Sequence, residues 1–485
     1  MNAWRWVLFL AVAFVAGVSG CGRKSPPAED ATQTSPLAAH ASRGGWPSSN
    51  AVPADLVEWR RRTLVIAYDK VGERDPRWDK DAREALEAFA HVTSGKDTNE
   101  LARFESSVKS AASAGCSDPL IRYLNLRFVH GSASDANTAA AEAYREAGDR
   151  LMHSGYPDIR RFYGAIRAAE AWKSAHGGSS NATPVLSQFR RGAFSCLQPV
   201  LRAADTPFAE AYEAANELSH AITSNSKQEA DILPVLVDCF QARWPGEARA
   251  LTLCGRANVR LAWNSRGSGY ADSVTDVGWK EFARYLGEAE RCLDQSWALD
   301  STISDTAVAM MEVELGQGRG RDRMELWFHR AMSVDPACFD AAFAKAWYLQ
   351  PKWYGSAAEA IAFGRECVES KKWKGRVPLI LWEAHRMLAN DQATGLKDAH
   401  WKQPGVWADV RDSFDRFFEL NPEAVGWYHD YAFHAYKCGQ FDQFLDLLPK
   451  MGWVNYPYFG GEQHFAEMVA EAEKTTGRKA KLPGK

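Results

Sequence analysis

The sequence predicts an all-α fold, a solenoid of consecutive helical hairpins, from three observations. From Ala54 to about Thr476, apolar residues recur at intervals of three and four, which lines them up on one helical face. Turn residues and prolines punctuate the pattern at Ser117-Asp118-Pro119, Gly155-Tyr156-Pro157, Thr206-Pro207, Trp244-Pro245, Asp335-Pro336 and Asn421-Pro422. No stretch alternates convincingly as a half-buried strand does. Helices are therefore expected over 54–70, 77–93, 98–114, 118–130, 136–154, 157–175, 183–203, 207–223, 228–243 and 246–264. They continue over 278–299, 304–317, 321–334, 338–349, 357–372, 376–390, 406–420, 424–438, 441–448 and 461–475. Asp or Thr before Pro sets a capping oxygen beside a first-turn residue whose missing donor costs little. Capping boxes are read at Ser226 with Glu229 and at Ser356 with Glu359.

The start of the chain reads as an export signal. Arg5 precedes an apolar run from Trp6 to Val18, followed by Ser19, Gly20 and Cys21. That run falls short of the ~20 residues a spanning helix needs. Val18-Ser19-Gly20-Cys21 resembles the bacterial lipobox, in which cleavage leaves a cysteine whose sulfur carries diacylglycerol; the alternative is a plain secretory signal with a chance cysteine. Each buried methylene of such an anchor contributes ~0.8 kcal/mol. Gly22 resembles the residue found there in lipoproteins sent to an outer membrane. Up to Pro53 the chain is rich in Ser, Pro, Ala, Thr and Gly, and roughly thirty such residues span ~30 Å as a flexible coil. The expected organisation is a lipoprotein signal peptide at 1–20, a tether at 21–53 and an N-terminal helical-repeat region at 54–243. A C-terminal tetratricopeptide-like region at 244–476 and a disordered tail at 477–485 complete it. The implied address is the bacterial cell envelope, exported and lipid-anchored at Cys21 on an outer membrane facing the periplasm.

Composition excludes some functions. The 485 residues are 46% hydrophobic and 25% charged, ordinary for a folded protein, and carry a net charge of −3. With no concentrated basic stripe, nucleic acid is not an expected partner. The eight cysteines after Cys21 form no close pair of the zinc-ligand kind and sit among apolar helical residues, so buried free thiols are expected. A disulfide stays open for an exported chain, with no pairing assignable.

The segment from Leu420-Asn421-Pro422 to Pro449 reads as one complete hairpin. Tyr428, Tyr431, Ala432, Ala435 and Tyr436 line one helix, Gly439 breaks it, and Phe441, Phe444, Leu445 and Leu448 repeat the spacing. Two such short helices are marginal alone and need neighbours. This layout resembles the tetratricopeptide repeat. Ala432 stands at that family's small first-helix position, Gly439 at its turn glycine and Phe441 at the aromatic opening the second helix. Phe444 departs from it, replacing a small residue with a ring expected to push the helices apart. Phe328, Ala331 and Asp335-Pro336 have the spacing of a repeat's close, with Met324 again in place of a small residue. The phrases around Cys116 to Leu120, Trp263 to Asp272 and Pro351 to Ser356 resemble an uncharacterised group of bacterial tetratricopeptide-like proteins. That likeness runs from about Asp97 to Gln440 and implies the fold without an activity.

Three groups of residues are candidates for chemistry. In the loop from Asn264 to Asp276, glycines Gly267 and Gly269 permit turns whose amides can face an anion, with Arg266 as a planar donor fork and Tyr270, Asp272 and Asp276 beside it. A packed structural loop accounts for the same letters, and Arg319 and Arg321 read as a solvated turn. His429, His434 and His464 form a histidine-rich end, but His429 and His434 are five apart and diverge by roughly 140° on a helix, which disfavours a metal pair. The 19 tryptophans are mostly wedges between hairpins. Trp353 and Tyr354, held between a proline and a capped helix, are the exposed pair singled out for partner contact, together with Trp263, Arg266 and Tyr270.

The expectation is a membrane-anchored scaffold or adaptor that binds another envelope protein or peptide, with no catalysis, no metal and no cofactor. An α/α-toroid polysaccharide-active enzyme, which needs two carboxyl groups across a cleft, and a purely structural spacer remain open.

Overall fold

A computed structural model describes residues 53–92, 98–129, 133, 138–176, 182–222, 227–267, 271–393 and 396–483. The signal peptide, Cys21, nearly all of the tether, Tyr270 and the Ser226 capping box lie outside the described residues. All described regular structure is helical, and the chain divides into two compact units between Pro245 and Gly246.

The N-terminal unit contains α1 (Ala54–Thr63), α2 (Val65–Val71), α3 (Asp79–His91), α4 (Thr98–Ser113), α5 (Pro119–Phe128), α6 (Thr138–Met152), α7 (Asp158–His176), α8 (Ala182–Arg202), α9 (Phe208–Ala221) and α10 (Lys227–Arg243). The single helix expected over 54–70 is split at Leu64, whose φ of −109° and ψ of −79° leave helical geometry for one residue. Asp118 caps α5 as its sequence position implies, accepting from the amides of Leu120 and Ile121 at 2.9 and 3.1 Å. The Tyr156 hydroxyl and the Glu73 amide donate to its other oxygen. Neighbours in sequence pack together, α3 on α4 and α6 on α7, and next-but-one helices also meet, α5 on α7 and α7 on α9.

The C-terminal unit contains α11 (Ala248–Arg266), α12 (Asp276–Leu299), α13 (Ser304–Gln317), α14 (Arg321–Val334), α15 (Phe339–Tyr348), α16 (Ala357–Glu369), α17 (Ile380–Asp391), α18 (Lys397–Trp401), α19 (Val406–Leu420), α20 (Tyr428–Lys437), α21 (Phe441–Leu447) and α22 (Glu462–Thr476). Here α11, α13, α15 and α17 touch in succession while α12, α14 and α16 pack between them, the signature of a helical-repeat stack. The Ser356 capping box forms: its hydroxyl accepts from the Glu359 amide at 3.2 Å and donates to the Glu359 carboxylate at 3.0 Å. One core runs through the unit from Val259 to Ala472. The eight described cysteines are buried free thiols.

The 428–447 hairpin forms with Gly439 at φ +73°, a left-handed turn that returns the Gln440 amide to Ala435 O at 2.9 Å. Phe444 does not prise it open. Its ring is fully buried and meets Tyr436 edge-on at 5.5 Å, in the same core as the small, fully buried Ala432 and Ala435 of α20. After Gly477, Arg478 pairs with Asp442 and Asp446, and Ala480 and Leu482 pack against the core.

Candidate functional site

The last turn of α11 places Trp263 and Arg266 three residues apart, on one face of the helix. Arg266 is only 9% exposed, and its guanidinium carbon lies 5.8 Å from the Trp263 ring and 5.6 Å from the Trp279 ring. Burial pushes its pKa down from the ordinary value. Such stacking on ring faces contributes about 0.5–2 kcal/mol. Phe282 fills the angle between the indoles, edge-on to Trp263 at 5.1 Å and to Trp279 at 5.8 Å. Trp353 closes the group from a distant loop, meeting Trp263 edge-on at 5.9 Å. Its indole Nε1 is buried with no hydrogen-bond partner among the described residues.

The structure therefore brings together Trp263, Arg266 and Trp353, with Arg266 sandwiched between rings instead of presented as an anion fork. Tyr354 faces elsewhere. It is 45% exposed, its ring lies 4.7 Å from Tyr348, and its hydroxyl donates to Leu315 O at 3.1 Å. It also roofs Gly318, where an added Cβ would come within 2.7 Å of the hydroxyl. Trp279 and Phe282 complete the group without having been assigned to a site from sequence, although their spacing of three is visible there. Arg319 and Arg321 are tied to Glu290 and to Glu325 and Glu359.

The α11–α13–α15 row carries the half-buried side chains of Glu312, Asp340 and Phe343. Glu312 on α13 has no hydrogen-bond partner among the described residues, and burial pushes its carboxyl up to about 8, eased by Arg256, raised by Asp340 and eased by Arg260. Asp340 on α15 is pushed up to about 6, again first by burial, with Arg376 opposing. Phe339, Phe343 and Trp347 follow along α15 at successive intervals of four, with ring centroids 6.0 and 6.5 Å apart. Arg376 sits over Phe339 at 4.5 Å and Lys352 over Trp347 at 4.2 Å.

The histidines serve the fold. His429 donates from Nδ1 to Gly426 O at 3.0 Å and accepts the Asn455 amide at Nε2, which defines a neutral ring. His434 bonds Asp430 O and lies edge-on between Trp382 and Trp401; burial pushes its pKa down to about 3. A chain missed from sequence runs from the exposed Arg365, which forks onto the buried Asp409 at 2.9 and 3.0 Å, through buried His385 to buried His400. It is satisfied when His385 donates from Nε2 to Asp409 and accepts at Nδ1 from His400. Among the described residues, no group of three or more His, Cys, Asp and Glu is arranged to hold a metal.

No known family model matches the chain, and no curated protein matches it. At this level the chain is an all-helical, repeat-like protein.

Proposed function

We propose that this chain is an exported, lipid-anchored scaffold of tetratricopeptide-like hairpins whose C-terminal unit docks a peptide segment of another envelope protein. The observation that carries this reading is the α11–α13–α15 row, where the half-buried Glu312 carboxyl has no hydrogen bond among the described residues and Phe343 on α15 is half-buried. A peptide laid along such a row gains apolar contact from Phe343 and meets carboxyls at Glu312 and Asp340, a combination suited to an apolar segment bearing a basic residue. The anchor rests on the run from Trp6 to Val18 and on Cys21.

Photo-crosslinking residues installed at positions 312 and 343 test the docking in native membranes. Both should capture the same envelope protein, whereas a control at the exposed Arg284 on α12 should not; identical capture at all three positions would overturn the proposal. Cys21→Ser should release the protein from membranes, and its retention after a salt and carbonate wash would remove the anchor.

One observation favours a second reading. Asp340 raises the Glu312 carboxyl, and the two titrate apart, as an acid and base of a glycoside-cleaving centre do. Hydrolysis of a polysaccharide by the parent but not by Glu312→Gln would select it over docking.

A further inference from the structure

In the C-terminal unit, residues 396–405 lie between α17 and α19 as a strap built on the short helix α18. His400 and Trp401 are the buried side chains of this stretch; Leu396 is 55% exposed, Lys397 is half-buried and the rest face solvent. A segment with so few buried side chains opens more readily than the helices beneath it. Two rings therefore hold it down. Trp401 meets His434 of α20 edge-on at 4.6 Å, and His400 sets its Nε2 3.1 Å from Nδ1 of His385 on α17.

The indole does not titrate, whereas the imidazole pair does, and its hydrogen bonds limit how many protons it can hold. His385 Nε2 carries one proton, donated to Asp409 at 3.0 Å. The line between His385 Nδ1 and His400 Nε2 has room for one more, whichever ring owns it. His400 Nδ1 can take a third. A fourth makes both rings imidazolium, leaves two N–H groups pointing at each other across 3.1 Å and ends the bond. The pair thus tolerates one positive charge and is parted by two.

The strap yields before the helix beneath it. His385 stays tied to Asp409, which Arg365 of α16 grips at 2.9 and 3.0 Å. Burial raises the Asp409 carboxyl, but the bonds from His385 and Arg365 outweigh it and hold the group below the usual carboxylate range, so it stays an acceptor in mild acid. On α20, burial keeps His434 neutral, with its pKa down to about 3. An exposed ion pair from Lys437 of α20 to Asp398 of the strap, at 3.1 Å, is weakened by solvent and adds little.

We propose that the 396–405 strap is an acid-released latch: a second positive charge on the His385–His400 pair detaches His400, lifts α18 from α17 and uncovers the His434 ring. This device does not rest on the docking proposed above. Burial and His385 hold His400 at about 4 while the strap is closed, against ~6.5 for an imidazole in water. The closed form is therefore favoured fully above ~6.5, and that preference is lost as pH falls through 4. Between pH 7 and pH 4.5 the opening constant should rise about 50-fold.

Amide exchange of the detergent-solubilised full chain, corrected for the intrinsic pH dependence of exchange, tests this. Opening at 400–403 should rise about 50-fold from pH 7 to pH 4.5, while 414–420 of α19 lags well behind. His400→Gln should flatten the response to less than about threefold, because its amide donates to a neutral His385 or accepts from a charged one without titrating. Asp398→Asn, which cuts the ion pair to Lys437, should keep the parent's response. The parent alone also decides the matter should His400→Gln not fold: the ring 15N shifts of His400 should change over the same pH interval as the exchange at 400–403. A flat response in the parent, an unaltered one in His400→Gln, its loss in Asp398→Asn, opening of 414–420 in step with 400–403, or titration of His400 without a change in exchange would overturn the proposal.

Discussion

Phe444→Ala probes the packing of the 428–447 hairpin directly. The ring is fully buried, wedged against Tyr436 at 5.5 Å beside Ala432 and Ala435. Transfer of a phenyl group back to water costs about 2 kcal/mol. The cavity left behind adds to that, because two alanines cannot reach across it, and Phe→Ala changes in such cores total about 3–5 kcal/mol. The chain has two compact units, so a single melting curve mixes them and the local measurement is amide exchange over α20 and α21. Exchange there should lose about 3–5 kcal/mol of protection. Gly439→Ala is the control: an added Cβ would meet nothing within 4 Å, so its cost is the left-handed backbone alone, about 1–2 kcal/mol. A loss below 1 kcal/mol for Phe444→Ala, or one no larger than that of Gly439→Ala, would refute ring burial as what holds the hairpin shut.

Asp409→Asn removes the Arg365 fork and reverses the hydrogen-bond demand on His385. It should cost about 2 kcal/mol in urea melts, below the usual loss for a buried pair because Arg365 is half exposed. His400 is pushed down to about 4 by burial and by His385. It favours folding fully above its unfolded value near 6.5, and that contribution is lost as pH falls from ~6.5 through 4. Between pH 7 and pH 5 the parent should therefore lose more urea resistance than His400→Gln, and parallel curves would count against it. Asp430, held at about 6 mainly by burial, acts oppositely, favouring folding below ~4 and losing that contribution as pH rises through 6. In the native state Ellman's reagent should find no reactive thiol among the eight buried cysteines. In denaturant it should count eight if the Cys21 sulfur is alkylated and nine if it is free.

Much of the fold was legible because its helices are amphipathic and plainly punctuated. The helices at 304–317, 321–334 and 406–420 coincide residue for residue with the spacing in the sequence. The break at Leu64 has no proline or glycine to announce it, and Lys397–Trp401 is too short to show a period. Phe444, read as a spreader, lies fully buried in the core because room for a ring is decided by packing in space and not by its place in the repeat. Trp263 and Arg266 could be paired from their spacing. Trp353 could not, since only tertiary folding carries it to Trp263. Glu312 looks like an ordinary helix-surface acid in the letters, because its partial burial without a hydrogen bond among the described residues is decided in space.

In the C-terminal unit each helix answers chiefly to those one or two places along the chain. Wiring that local means contacts form soon after the chain leaves the ribosome, without waiting for distant ends to meet. It also means that duplicating or excising a whole hairpin disturbs only the seam where it sat. Such an architecture can lengthen by copying what it already has, while its existing turns keep their bonds.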